Sequence, residues 1–193
     1  MVIDYEKWHD GIGYDLEAIK EASAAEREDI EEMLINRSPL DWRDIEALAD
    51  LDTPRARKAL KEAAKNSSHE VRVAVTRFAP KSLTDDERTA IIADALRTAK
   101  LYGGLSQALD LVVEFHPPEV VSELFRGVLK REGDVAVLFA AMLVYIYGKA
   151  DDPFDMNRRP FFLKFNTDSV VERRRVFREL CRIVGENPEK KSI

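Results

Sequence analysis

The sequence predicts an all-α fold, a short stack of antiparallel helical hairpins around one central apolar helix over residues 135–147. Three observations carry this. Thirteen consecutive residues, Val135 to Tyr147, hold no charge and no strongly polar side chain. Helix start and stop signals recur along most of the chain at short spacing. No segment alternates polar and apolar residues with period two, and no turn has hairpin chemistry, so no strand is expected.

The central run reads as one helix, with Asp134 as the expected N-cap and Gly148 as the residue just past its C-terminus. A helix apolar on every side is surrounded on every side. At about 20 Å it is too short to cross a bilayer, which takes roughly 20 apolar residues.

In chain order, Tyr5, Trp8, Ile12 and Tyr14 are expected to pin the N-terminus to the body. Asp15 to Asn36 is helical with an acidic surface, divisible at Ser23, and Ser38-Pro39-Leu40 breaks the chain. Asp41 caps a helix to Leu51, and Thr53-Pro54 opens the next as N-cap and N1 proline. Ser67 with Glu70, Thr84 with Glu87, and Ser169 with Glu172 have capping-box spacing ahead of three further helices. Gly103-Gly104 and His116-Pro117-Pro118 bound the helix Leu105–Phe115, and Pro118 opens another that ends near Glu132. Residues 149–167 form one long irregular stretch, the last helix runs to Val184, and Pro188 to Ile193 is expected to be a disordered tail. The expectation is thus about nine short helices in a single domain over residues 1–187.

Composition is that of an ordinary globular chain, 45% hydrophobic and 34% charged. Cys181 is the only cysteine, which excludes an internal disulfide and fits a reducing compartment. The N-terminus lacks a basic segment followed by an apolar core, so the expected address is the cytoplasm and no membrane partner is expected. The net charge of −6 is unevenly spread: Met1–Thr53 has 16 acidic and 5 basic residues, and Pro54–Ile193 has 20 acidic and 25 basic. Such segregation means that the two parts dock on each other, that one meets an oppositely charged partner, or that both are solvated faces.

Two helix starts look alike, Ser68-His69-Glu70-Val71-Arg72-Val73-Ala74-Val75 and Glu132-Gly133-Asp134-Val135-Ala136-Val137-Leu138-Phe139. Asp52-Thr53-Pro54-Arg55-Ala56-Arg57 is similar. A polar turn, Val-Arg or its equivalent, then small apolar residues resembles the second helix of HEAT repeats. The resemblance covers Asp41 to Tyr147, with irregular spacing, and implies a degenerate HEAT-like stack. Within that group, Asp41-Trp42-Arg43-Asp44, Phe139-Ala140-Ala141-Met142-Leu143 and Arg159-Pro160-Phe161-Phe162-Leu163 resemble small bacterial immunity proteins of polymorphic toxin systems. Such inhibitors use family-specific surfaces, so the resemblance assigns no residue.

The residues offer two candidate partner-binding surfaces. Trp42 sits among Asp41, Asp44, Glu46, Asp50 and Asp52, a carboxylate-rich face with an aromatic anchor that suits a basic toxin domain. Acid enrichment at a helix N-terminus explains Asp41 and Asp44 equally well. In the irregular stretch, Asp155, Arg158, Arg159, Phe161 and Phe162 make either a hot spot or, with Phe165, a cap on the core.

Arg174, Arg178 and Arg182 form one stripe, with Arg173 and Arg175 beside it. The expected role is pairing with the acidic third; the other is phosphate contact, as in HEAT-like DNA glycosylases. Asp151, Asp152 and Asp155 lack the glycine and distal glutamate of a calcium loop, so no metal is expected. Nor is a cofactor or catalytic site: His9, His69 and His116 are isolated, and Gly11-Ile12-Gly13 reads as a turn. Cys181 is expected in the core. The expected function is a non-enzymatic protein-binding module, an immunity protein that neutralises a toxin by direct binding. A nucleic-acid enzyme of the glycosylase type and a generic adaptor subunit are the alternatives.

Overall fold

The computed structural model describes residues 13–98, 100 and 104–191, and the fold is all-α, with twelve α-helices and no strand among the described residues. The expected roles of Tyr5, Trp8, Ile12, His9 and the Gly11-Ile12 turn lie outside the described residues. The chain divides into two compact units, one up to Arg88 and one from Thr89.

The first unit contains α1 (Leu16–Glu21), α2 (Ala24–Ile35), α3 (Trp42–Leu51), α4 (Pro54–Asn66) and α5 (His69–Phe78), then a 3-10 turn at Pro80–Ser82. Local chemistry sets most of the boundaries. Ser23 divides the acidic helical stretch as expected, through a reciprocal box in which Glu26 N–H donates to Ser23 Oγ and Ser23 N–H donates to Glu26. Thr53 Oγ1 accepts from Ala56 N–H at 3.0 Å with Pro54 at N1. The cap of α5 is Ser68, whose Oγ accepts from Val71 N–H, and not Ser67 as its spacing from Glu70 suggested. Two-residue connections make α3–α4 and α4–α5 helical hairpins, and α3 packs on α1, α2, α4 and α5. Ile45, Leu48, Leu60 and Val75 form its solvent-free centre.

The unit boundary falls within α6 (Asp85–Thr98), which opens on the expected Thr84–Glu87 box. Beyond it come α7 (Leu105–Glu114), α8 (Pro118–Lys130), α9 (Gly133–Ile146), α10 (Arg159–Phe162), α11 (Val170–Val184) and α12 (Pro188–Lys191). The apolar helix α9 is the centre of this second unit: α7, α8, α10, α11 and the 3-10 turn Leu163–Phe165 all pack on it. Its N-cap position is Glu132 and makes no side-chain cap; Asp134, the expected cap, lies exposed in the first turn. At the other end Gly148, at φ 66°, closes a Schellman motif with Gly148 N–H to Tyr145 O at 2.8 Å and Lys149 N–H to Val144 O at 2.9 Å.

Two expectations for the C-terminal region change. The long irregular stretch is broken into helical turns at Met156–Arg158, Arg159–Phe162 and Leu163–Phe165. The tail expected to be disordered from Pro188 forms a helical turn through Lys191. That turn is held by a Lys191–Glu186 ion pair at 3.4 Å, and Lys191 Nζ lies 5.1 Å from the centre of the Phe125 ring.

Candidate functional site

The face expected around Trp42 is partly buried. Asp44 is fully buried: Oδ1 accepts from Tyr14 O–H at 2.9 Å and Arg37 Nη1 at 3.1 Å, and Oδ2 from Asp41 N–H at 2.8 Å. A carboxylate so committed cannot meet a partner, so its assignment as a contact residue is corrected to a capping and cross-linking role. Burial and the bond to Asp44 push the Tyr14 hydroxyl up to about 12. Trp42 is half-buried, stacked on Phe78 at 6.3 Å with the Arg43 guanidinium 4.7 Å from its centre. Of the remaining acids, Glu46 is half-buried, and burial raises its pKa against the opposing pull of Arg77. Asp50 pairs with Lys20 at 3.4 Å.

The residues 155–162 are similarly reassigned. Phe162 and Phe165 are fully buried, and Phe161 packs edge-on to both. Phe162, one of the expected contact residues, is therefore core. Asp155 accepts from Asn157 N–H and pairs with Arg158 at 3.4 Å, which leaves Arg159 exposed and Arg158 and Phe161 half-exposed. The reading of this stretch as a cap on the core holds for Phe162 and Phe165.

The charge segregation has a different boundary in space than in sequence. The first unit carries 21 acidic and 14 basic residues because it includes the basic helix α4; the second carries 15 and 16. Part of the acidic third is spent on α4, in the Asp52–Arg57 pair at 2.7 Å and the looser Glu31–Arg55 pair at 3.9 Å. Arg57 holds the Asp52 carboxyl below its ordinary range, and Asp52 itself takes the left-handed conformation (φ 48°) at the end of α3.

Among the described residues, a cluster of unpaired acids lies on α2, which the sequence did not single out. Glu28, Asp29 and Glu32 are exposed and have no ion-pair or hydrogen-bond partner among the described residues. Met33 projects beside them at 65% exposure. Glu28 and Glu32 stand at i and i+4, where like charges repel, so the arrangement costs the helix a few tenths of a kcal/mol. The signal was there: Glu26 to Glu32 holds the densest run of acids in the chain, but without an aromatic anchor it resembled a solvated surface. At its edge is a cleft of about 420 Å³, lined by Ile19, Lys20, Arg27, Glu28, Asp50 and Arg55, with Glu31 5% exposed at its floor. Thr53 Oγ1 donates to Glu31 Oε1, so one threonine both caps α4 and satisfies a buried carboxylate of α2.

In the second unit the arginine stripe of α11 splits by role. Arg173 is built into the fold, donating from Nη1 to Arg131 O at 3.1 Å and Leu129 O at 3.4 Å, and from Nη2 to Thr167 O at 2.5 Å. Arg175 pairs with Glu172 at 3.9 Å. Arg174, Arg178 and Arg182 are exposed and have no acidic partner among the described residues of the second unit. Cys181 is fully buried, and burial pushes its thiol up to about 11. Among the described residues no group of three His, Cys, Asp or Glu side chains converges as metal ligands, and no helix is long and apolar enough to cross a membrane.

No family model, curated protein or solved structure matches the chain.

Proposed function

We propose that the protein is a non-enzymatic binding module that inhibits a basic protein, of the kind formed by immunity proteins against bacterial toxins. The observation that supports it is the ridge of Glu28, Asp29 and Glu32 beside exposed Met33. Three unpaired carboxylates steer a basic partner and select against acidic ones, and a flexible thioether beside them gives an adaptable apolar contact. The ridge costs local helix stability, which fits selection for a partner more than for folding. The toxin identity of that partner rests on the resemblance of Asp41-Trp42-Arg43-Asp44 and the two later stretches to immunity proteins.

The inhibitor reading is tested by growth. A protein partner retained by this chain, expressed alone, arrests growth of the producing cells, and co-expression of the chain restores it. The Glu28→Lys/Asp29→Lys/Glu32→Lys variant fails to restore growth. A partner that leaves growth untouched when expressed alone would remove the toxin reading and leave an adaptor.

A further inference from the structure

The second unit carries a groove whose chemistry is opposite to that of the α2 ridge. It has a volume of about 570 Å³ and lies between α8, α11 and α12. Leu129, Val170 and an almost fully covered Phe177 line it, and Lys130, Arg174 and Arg178 stand along it. Those three cations have no carboxylate partner among the described residues; Arg178 makes only an Nε–H bond to Arg174 O at 3.3 Å.

Three features make this more than a solvated helix face. Arg174 and Arg178 are like charges at i and i+4, an arrangement unfavourable for the bare helix. Val170 and its neighbour Val171 are 63% and 77% exposed, so apolar surface lies open beside the cations. The wall is fixed, because Arg173 ties the carbonyls of Leu129, Arg131 and Thr167 together. A preformed apolar groove with a few converging charges binds ligands that bury an apolar group and place opposite charge at the rim.

We infer that this groove docks an acidic peptide segment of a protein partner, with an aliphatic or aromatic side chain on Val170 and carboxylates on Lys130, Arg174 and Arg178. Nucleic acid fits it less well. Phe177, the one aromatic ring lining the groove, is only 2% exposed, too covered to stack a base. The groove belongs to the second unit and the Glu28–Glu32 ridge to the first, so different variants test the two assignments.

The test uses the full-length protein and a short fluorescein-labelled peptide with Glu residues spaced i, i+4 around a Leu-Phe pair. Anisotropy is read at low salt and at about 0.15 M, where exposed charges are screened beyond roughly 8 Å. Saturable binding is expected, weakened about tenfold or more by Arg174→Glu/Arg178→Glu, where two rim contacts become repulsive. Val170→Ser, which leaves the charges alone, weakens it as well. Replacing Glu by Gln, or Leu-Phe by Ser-Ser, in the peptide has the same effect. Absence of saturable binding, or binding indifferent to Arg174→Glu/Arg178→Glu, overturns the assignment. So does a single-stranded oligonucleotide that displaces the peptide and binds more tightly, which would make the groove a phosphate site.

Discussion

The ring of Phe139 lies directly on the bare Cα of Gly127: a Cβ built at Gly127 would stand 2.3 Å from both Cδ2 and Cε2 of that ring. This contact sets how closely α8 approaches the apolar helix α9, and Phe139 is fully buried. Gly127→Ala gains roughly 1 kcal/mol of helix propensity but forces a buried ring to move, at about 1–3 kcal/mol or more. The expected net result is a lower thermal midpoint, largely restored by adding Phe139→Leu. An unchanged or raised midpoint for Gly127→Ala alone would contradict the packing described.

Asp44 is expected to behave as a structural residue. Asp44→Ala removes a reciprocal cap, worth about 1 kcal/mol, and charge-assisted bonds from Tyr14 and Arg37 worth about 1.5–3 kcal/mol. Urea denaturation should show a loss of about 2–4 kcal/mol. Asp50→Ala, which breaks only a half-exposed ion pair, should cost less than about 1 kcal/mol. Equal effects of the two would place Asp44 back at the surface.

The same contrast separates buried Phe162 from exposed Arg159 in the 155–165 stretch. Phe162→Ala empties a fully buried site and is expected to cost about 3–5 kcal/mol. Arg159→Ala, on the exposed side of the same turn, is expected to stay within about 0.5 kcal/mol. Calorimetry of the two variants decides between a core cap and a free binding loop.

Local signals were legible in the sequence where both partners lie within one turn. The box Thr84–Glu87, the Thr53-Pro54 start and the Gly148 stop all form as their spacing required, and Ser23 divides the acidic stretch. Adjacent serines made Ser67 and Ser68 interchangeable to that logic, and the cap went to the second. Exposure was not legible. A carboxylate at the third position of α3 reads equally as a surface charge or a cap, and what buries Asp44 comes from Tyr14 and Arg37, 30 and 7 residues away. The unpaired state of Glu28, Asp29 and Glu32 depends likewise on which acids α4 consumes, a tertiary fact.

Glu186 links Tyr147, whose hydroxyl donates to it at 2.6 Å, with Lys191 in the last helical turn. The Tyr147 bond, with Lys191 beside it, lowers the Glu186 pKa. A carboxyl depressed in the fold contributes stability above its unfolded pKa of about 4.3, and the contribution is lost as pH falls through the lower folded value. NMR shifts of the Tyr147 ring should therefore be flat from neutral pH to about 4.3 and change only below it. Glu186→Gln should abolish that change. A transition at or above the ordinary carboxyl range would show that the bond is absent.

Cys181 is expected to be silent toward thiol reagents in the folded protein, since it is fully buried and its thiolate is disfavoured. Ellman's reagent should register one thiol only after denaturant is added; fast labelling of the native protein would mean that α11 opens readily.

The binding role is tested most directly by retention of protein from the native host on the tagged chain, compared with the Glu28→Lys/Asp29→Lys/Glu32→Lys variant, with bound protein and nucleic acid both quantified. The account predicts one stoichiometric basic protein on the wild type and none on the variant. Co-purifying nucleic acid without such a protein, or equal retention of the protein by both chains, would contradict it.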